Sequence, residues 1–482
     1  MRWAKVSFVR RVKKRWRGEV RDVRKDELMN LITAQPAHIK PRSAGAPLLA
    51  GGVVRRGAQW LTNPYGLLDD ALQSVGLTFR AKLPVLGDAL FTGDPDLLRT
   101  IITGRDFDAG TPVSALRALL GSRSLIMLHG ERHVARQQMV AALFRGPAAQ
   151  SVLPWMIEQT RREVQRLDVH TSFSAYDLVQ RVLLRTILAA LFGVAVAEQA
   201  EAERLVQRFL HSFRSPLVLF IKPLRFDVGP LSPWGRAMRN RRKLCAFIRQ
   251  QIDQNRRVDN GTMLSQLLAA SAGNDSWSDE DTVEEVLSLL LFGHDTAAAA
   301  MAWTLVHIFS DPVAVAAGEQ EAQDWRRRSV WEPEDLTWLP ACVQESMRLC
   351  PVVVHLSRRA VVNTHLGEIP VNRGDMVIPC TYLAHRNPSV FTEPAAFRPE
   401  RFLNGQRYDG AYFPFGFGSR TCVGKPFVLR QMPLLIATIL ASARLQLAAG
   451  YTPQPTRRMV LIVPRRGALF TFRHMAKPIA KR

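Results

Sequence analysis

The stretch from Ser278 to Pro312 constrains the fold more than any other part of this chain. Ser278 with Asp281 three residues on matches a capping box. Helix-favouring residues then run to about Ser310, and Asp311-Pro312 supplies a stop. At about 1.5 Å per residue this helix spans roughly 48 Å, the width of a whole domain. It is apolar on nearly every side, so it belongs at the centre of a large core. Gly293-His294-Asp295-Thr296 nevertheless falls at its middle. A carboxylate and a hydroxyl are costly to bury without partners. The tetrapeptide therefore marks either a kink, with Thr296 bonding back to a carbonyl, or a working site.

The 482 residues are enough to build that core. From about 55 to 350 the apolar spacing is mainly helical, broken by Gly, Pro and Asn/Asp/Ser clusters. Strand-like runs come late, at Asp375-Met376-Val377-Ile378 and Met459-Val460-Leu461-Ile462-Val463. The prediction is one unit, residues 54–482, mainly α with small β-sheets. Residues 35–53, rich in Pro, Gly and Ala, read as a linker. Residues 1–34 read as a basic amphipathic segment. A second predicted helix carries Glu345 and Arg348 on one face and ends at Pro351.

Charge narrows the partners. The formal net charge is +23, and residues 1–25 hold Lys and Arg in large excess over Glu19 and Asp22. Trp3, Val6, Val9, Val12, Trp16, Val20 and Val23 recur there at helical spacing. That pattern reads either as a helix lying on a membrane or as a stripe packing on the body of the protein. No nucleic-acid-binding motif accompanies the charge, so nucleic acid is not an expected partner. No uninterrupted transmembrane span is found, because His294 and Asp295, or Arg444, break the best stretches. A cytoplasmic protein, peripheral to a membrane at most, is expected.

The five cysteines, Cys245, Cys342, Cys350, Cys380 and Cys422, form no C-x-x-C pair. Disulfide frameworks, structural zinc and four-cysteine iron–sulfur sites are poorly supported, and a reducing compartment fits. One cysteine has an unusual setting, Phe415-Gly416-Phe417-Gly418-Ser419-Arg420-Thr421-Cys422-Val423-Gly424. A metal-binding thiolate needs charge stabilisation, and glycine-rich turns can aim backbone N–H groups at sulfur. Arg420 adds a cation suited to carboxylates. Taken alone, a single cysteine in such a loop reads as buried and inert.

The loop resembles the haem-binding segment of the cytochromes P-450, F-x-x-G-x-R-x-C-x-G, at every defined position. The resemblance covers about 55–475 in the family's order. It includes Glu345 and Arg348 as the E-x-x-R pair, His385-Arg386-Asn387-Pro388, Pro399-Glu400-Arg401-Phe402, and Phe292-Gly293-His294-Asp295-Thr296 as the [AG]-G-x-[DE]-T motif. It implies the cytochrome P-450 fold and haem b (iron protoporphyrin IX) with Cys422 as axial iron ligand. Phe415 would pack beside the loop, Arg420 would reach a haem propionate, and Asp295 and Thr296 would relay protons to iron-bound oxygen. Glu345, Arg348 and Arg401 would form a structural network.

In the segment from Gly130 to Phe144, His133 fits the family's propionate contact. Gln137 stands where the pattern has Arg, and Arg136 lies one residue early. Either Arg136 takes the role or the site does without it. Arg358 fits the family's strand arginine on a propionate, with Arg359 as the adjacent alternative.

Residues near 108–128, the run Leu217-Val218-Leu219-Phe220-Ile221 and Val352-Val353-Val354-His355-Leu356 fall where the family meets substrate. They are mostly apolar and favour a hydrophobic small molecule. His355 reads either as a polar substrate contact or as a structural histidine. The implied activity is a monooxygenase that takes one atom from O2. A peroxide-using or rearranging haem-thiolate enzyme, and a non-catalytic haem ligand-binding protein, are disfavoured by the acid–Thr pair. No nucleotide-binding fingerprint or iron–sulfur cluster occurs, so electrons are expected from a separate ferredoxin or flavodoxin-type donor. Arg132, Arg136, Lys425 and Arg430 are expected on its docking face.

Overall fold

The computed structural model describes residues 45–83, 86–109, 114–212, 225–328, 333–406, 408 and 410–475. The basic segment 1–34, most of the 35–53 linker and the run 217–221 lie outside them. Six helices matter for the site: α1 (Val53–Thr62), α2 (Gly130–Leu143), α3 (Ala175–Phe192), α4 (Asp279–Phe309), α5 (Trp338–Leu349) and α6 (Lys425–Ser442).

Helix α4 starts at the predicted capping box. Ser278 Oγ accepts from the Asp281 N–H, and the Asp281 carboxylate accepts from the Ser278 N–H at 3.1 Å. Three acids in its first turn face the positive end of the helix dipole. At the far end Asp311 caps the next helix instead of extending α4. By length and composition α4 could cross a membrane, but 83% of its most apolar window is buried inside the protein. It is the core helix, packed by α3, α5, α6 and the helix Pro233–Arg257. Truncating a leucine there, such as Leu290, is expected to cost about 2–5 kcal/mol.

The sheets are small. Strands β1 (Thr78–Leu83), β2 (Gly87–Thr92), β3 (Phe107–Ala109), β4 (Ser172–Ser174), β5 (Arg358–Ala360), β6 (Thr364–Leu366), β7 (Ile369–Val371) and β8 (Met376–Pro379) precede α6. Strands β9 (Ala443–Leu447), β10 (Pro455–Arg458), β11 (Leu461–Pro464) and β12 (Leu469–Met475) follow it. Five form one sheet in the order β1-β2-β8-β5-β3, and three form another, β4-β12-β9.

The predicted strand over Met459–Val463 is shorter than expected. The β10–β11 hairpin closes at Arg458↔Leu461, so Met459 and Val460 are its turn. Met459 sits at φ 55°, a left-handed conformation unusual for a methionine, and is held by burial. The apolar run carried no Gly, Asn or Pro to announce the turn.

Glu345 and Arg348 on α5 pair through two bonds of 2.7 Å, with both side chains fully buried. Arg401 adds a third cationic contact at 3.2 Å. Arg348 also donates to the carbonyls of His385, Pro394 and Ala396. His385 in turn accepts the Phe413 N–H on Nε2 at 2.9 Å, which reaches the start of the cysteine loop. Burial, with Arg348 nearby, pushes the His385 imidazole down to about 3.

A histidine charged when unfolded below about pH 6.5 but neutral in the fold gives stability that is present above that pH and lost as pH falls toward about 3. In His385→Gln the amide oxygen can still accept the bond but cannot titrate. Below pH 6 its unfolding free energy should fall less steeply than the wild type's, by up to about 1.4 kcal/mol per pH unit. Equal slopes in denaturant titrations would show that His385 protonates in the folded state.

Candidate active site

Two glycines shape the cysteine loop. Gly416 (φ +74°) and Gly418 (φ +59°) adopt left-handed conformations that cost a residue with a side chain. The Cys422 N–H donates to the Phe415 carbonyl at 2.8 Å and so closes the loop on itself. Burial raises the Cys422 thiol pKa, while hydrogen bonds from the backbone N–H groups of Gly424 and Lys425, at the start of α6, pull it down. Such N–H groups stabilise a thiolate. Of the five cysteines only Cys422 is accessible. Cys350 and Cys380 are buried, with thiols pushed up to about 12 chiefly by burial, and the Cys350 sulfur lies 3.8 Å from His307 Nε2.

Beside this loop lies an excess of positive charge. Arg420 donates to the Leu128 carbonyl at 2.7 Å and reaches Asp108 only at 3.5 Å. Arg358 is buried in β5, its guanidinium 5.1 Å from the Phe417 ring. Burial and the Arg420 charge lower it to about 10. The same two causes hold His133 on α2 at about 4. Arg359, the alternative to Arg358, instead donates to the Gly374 carbonyl. Among the described residues Asp108 is the acid that acts on both Arg358 and His133, and it also pairs with His129 at 3.1 Å. The group can take further anionic charge.

Helix α4 is buried from Asp281 to Val306 except at Phe292, Gly293 and Thr296, which keep some exposure. These three share one face, as residues one turn apart do. Thr296 Oγ1 donates to the Phe292 carbonyl at 2.9 Å, so the back-bond foreseen from the sequence is present. A hydroxyl that gives its hydrogen this way still has lone pairs to accept with. Asp295 points elsewhere, accepting the Tyr176 O–H from α3. The Arg458 guanidinium lies 4.6 Å from the Tyr176 ring. Buried His294 donates Nδ1–H to the Leu290 carbonyl at 2.8 Å and accepts on Nε2 from Gln180 at 3.5 Å.

The family model for cytochrome P450 (written P-450 here) matches residues 89–472, most of the chain. The chain belongs to the cytochrome P-450 family. Membership implies haem-thiolate oxidation chemistry. Cytochrome P-450 138 of Mycobacterium tuberculosis is 27% identical over 452 residues, covering 92% of this chain and all of that one. Cytochrome P-450 135B1 of the same organism is 24% identical, covering 88% of this chain and 89% of its own. Their names assert membership of the family and no substrate. Among solved structures, retinoic acid-bound cyanobacterial CYP120A1 superposes with TM-score 0.77 at 20% identity over 90% of this chain and all of its own. The cytochrome P-450DA heme domain gives 0.76 at 18% identity, covering 90% and 98%. These likenesses show the shared fold.

Within this P-450, Arg136 departs from the sequence expectation. It is buried and donates to Asp281 at 2.8 Å, to Glu285 at 3.3 Å and to the Arg123 carbonyl, with the Trp277 ring 3.6 Å from its guanidinium. Although burial opposes it, the Ser278 and Arg136 hydrogen bonds hold Asp281 at about 2. Arg136 therefore ties α2 to the start of α4, with its guanidinium engaged there. Gln137, one position on, turns toward the cysteine loop and donates to the Thr421 carbonyl at 3.2 Å. Tyr176 was missed because a lone tyrosine in an apolar helix carries no signal.

Arg136→Gln should cost about 3–5 kcal/mol of stability by leaving buried carboxylates uncompensated. Its rate of haem loss to apomyoglobin at a temperature where it stays folded should match the wild type's. Faster haem loss at unchanged stability would restore a propionate role.

Proposed function

We propose that this P-450 is a monooxygenase that inserts one atom of O2 into a hydrophobic small molecule, with Cys422 as the iron ligand. The observation that carries this reading is the single accessible thiol, Cys422, held by two backbone N–H groups in the complete loop. The residues fit haem b: Cys422 for the iron, Phe415 beside the loop, and His133, Arg358 and Arg420 for the propionates, whose charge would offset their excess of cations. When bound and reduced, haem supplies the binding and activation of O2.

The chain's own part is positioning and protons. Thr296 offers a hydroxyl on the open face of α4; Asp295, one residue away, is turned to Tyr176, and in this reading it passes protons toward Thr296 by swinging out of that contact. Tyr176 holds that carboxylate by donating to it. Val352, Val353 and Leu356 give the substrate an apolar wall that excludes water. In this reading electrons come from a separate ferredoxin or flavodoxin-type protein, and the enzyme works in the cytoplasm.

Exposed Arg132 and Lys425 can steer an acidic donor toward the Cys422 side. Two of the four docking cations drop out. Arg136 is buried, and half-buried Arg430 is engaged with Glu334 at 3.3 Å.

Reduced protein with carbon monoxide should show the red-shifted Soret band of thiolate ligation. Cys422→Ala should abolish it and Cys350→Ala should keep it; the reverse pattern would transfer the ligand to Cys350. With a competent redox chain and a turned-over substrate, Thr296→Ala should keep the band but form less product per NAD(P)H, the balance appearing as peroxide. Unchanged coupling would remove Thr296 from the proton path. Product formed with hydrogen peroxide but never with O2 and a donor would replace the monooxygenase reading by a peroxide-using one.

A further inference from the structure

The wall segment after Pro351 runs between the β10–β11 hairpin and the cysteine loop. The Ile462 N–H of β11 donates to the Val352 carbonyl at 2.9 Å, and Leu356 lies against Gly416. Val352, Val353, His355 and Leu356 all keep partial exposure, whereas Val354 is buried. The segment is apolar apart from His355. That histidine's Nδ1 is enclosed and finds no hydrogen-bond partner among the described residues. Its ring packs on Trp60 of α1, centroids 5.0 Å apart.

The same tryptophan holds a cation. Arg457, on β10 one residue from the end of the strand, lies 5.1 Å from the Trp60 ring and donates to the Trp60 carbonyl through Nε and Nη2 at 3.2 and 2.9 Å. It is only 9% exposed. Three other buried arginines have acids: Arg348 has Glu345, Arg136 has Asp281 and Glu285, and Arg80 has Asp88, while buried Arg358 belongs to the cationic group assigned to the propionates. Arg457 has no ion-pair partner among the described residues. Arg56, one turn before Trp60 on α1, is also buried, and among the described residues it has no acid and its Nε no hydrogen-bond partner. Burial with no compensating acid lowers Arg457 to about 10, which still leaves it charged at neutral pH. A buried guanidinium without a counter-charge is costly, and its planar fork matches a carboxylate.

We propose that Arg457, with His355 beside it, receives the carboxylate of the substrate, so that the substrate is an apolar carboxylic acid rather than a neutral hydrocarbon. Nδ1–H of a neutral His355 is a donor for the second carboxylate oxygen. Calling this acid a substrate, and not only a ligand, rests on the monooxygenase reading above.

The test is calorimetric titration of the full-length, haem-loaded protein with decanoate and hexadecanoate, each against its methyl ester. The wild type should bind each acid about ten-fold or more tightly than its ester. Arg457→Gln should lose that preference while its ester affinity stays within about two-fold, and Arg457→Lys should restore part of it. His355→Phe should weaken the acids and spare the esters. Equal affinity of the wild type for acid and ester, absence of acid binding, or variants that weaken both alike would overturn the proposal. The carbon monoxide band, read on the same samples, separates the two claims. An intact band with charge-blind binding sinks only the carboxylate site. A missing band with acid-selective binding leaves that site standing and sinks the haem-thiolate reading.

Discussion

A fully buried ion pair, Glu345 with Arg348, holds the cysteine side of this protein together. Its value does not lie in net stability, since two desolvated charges recover little more than they lose. It lies in specification. Arg348 has donors left over after Glu345 is satisfied, and it spends them on three carbonyls from the irregular chain between β8 and the cysteine loop. That chain has almost no regular structure to hold it. Arg401 closes the arrangement from the same side, and His385 hands it on to Phe413. The glycine turns at 416 and 418 therefore start from a fixed point, and the direction of the Cys422 thiol follows from a pair of charges well outside the loop.

The central helix solves a different problem. It must be apolar to be buried and polar to be useful, and it separates the two demands by angle. Asp295 and His294 turn into helix–helix contacts, where Tyr176 and Gln180 meet them. Phe292, Gly293 and Thr296 keep the open face. Each buried polar group has a named partner, so the cost of placing the tetrapeptide in the core is offset locally.

What the sequence revealed was whatever depends on neighbours in the chain. The capping box, the Pro-stopped helices, the i, i+3 pair of α5 and the loop glycines are local, and they stand where they were read. What it hid depends on rotation about a helix axis and on partners remote in sequence. Arg136 and Gln137 differ by one position and therefore by about 100° of helix face. Only the fold tells which of them meets the loop. Nothing near Tyr176 announces Asp295, 119 residues away. Nor did the charge pattern show that Arg430 is already engaged. The Met459 turn was invisible because no Gly, Asn or Pro marks it.

The segment proposed to wall the substrate site is cross-braced through backbone atoms. Trp303 of α4 donates its indole N–H to the Ile462 carbonyl, and the Ile462 N–H donates to the Val352 carbonyl. Core helix, hairpin and wall segment thus form one frame, and two of its three members are joined without any side chain taking part. In the proposed function Val352 and Val353 are then facings on that frame. Exchanging them alters the lining without loosening the struts, which gives a lineage an inexpensive way to drift from one substrate to the next while its scaffold stands still.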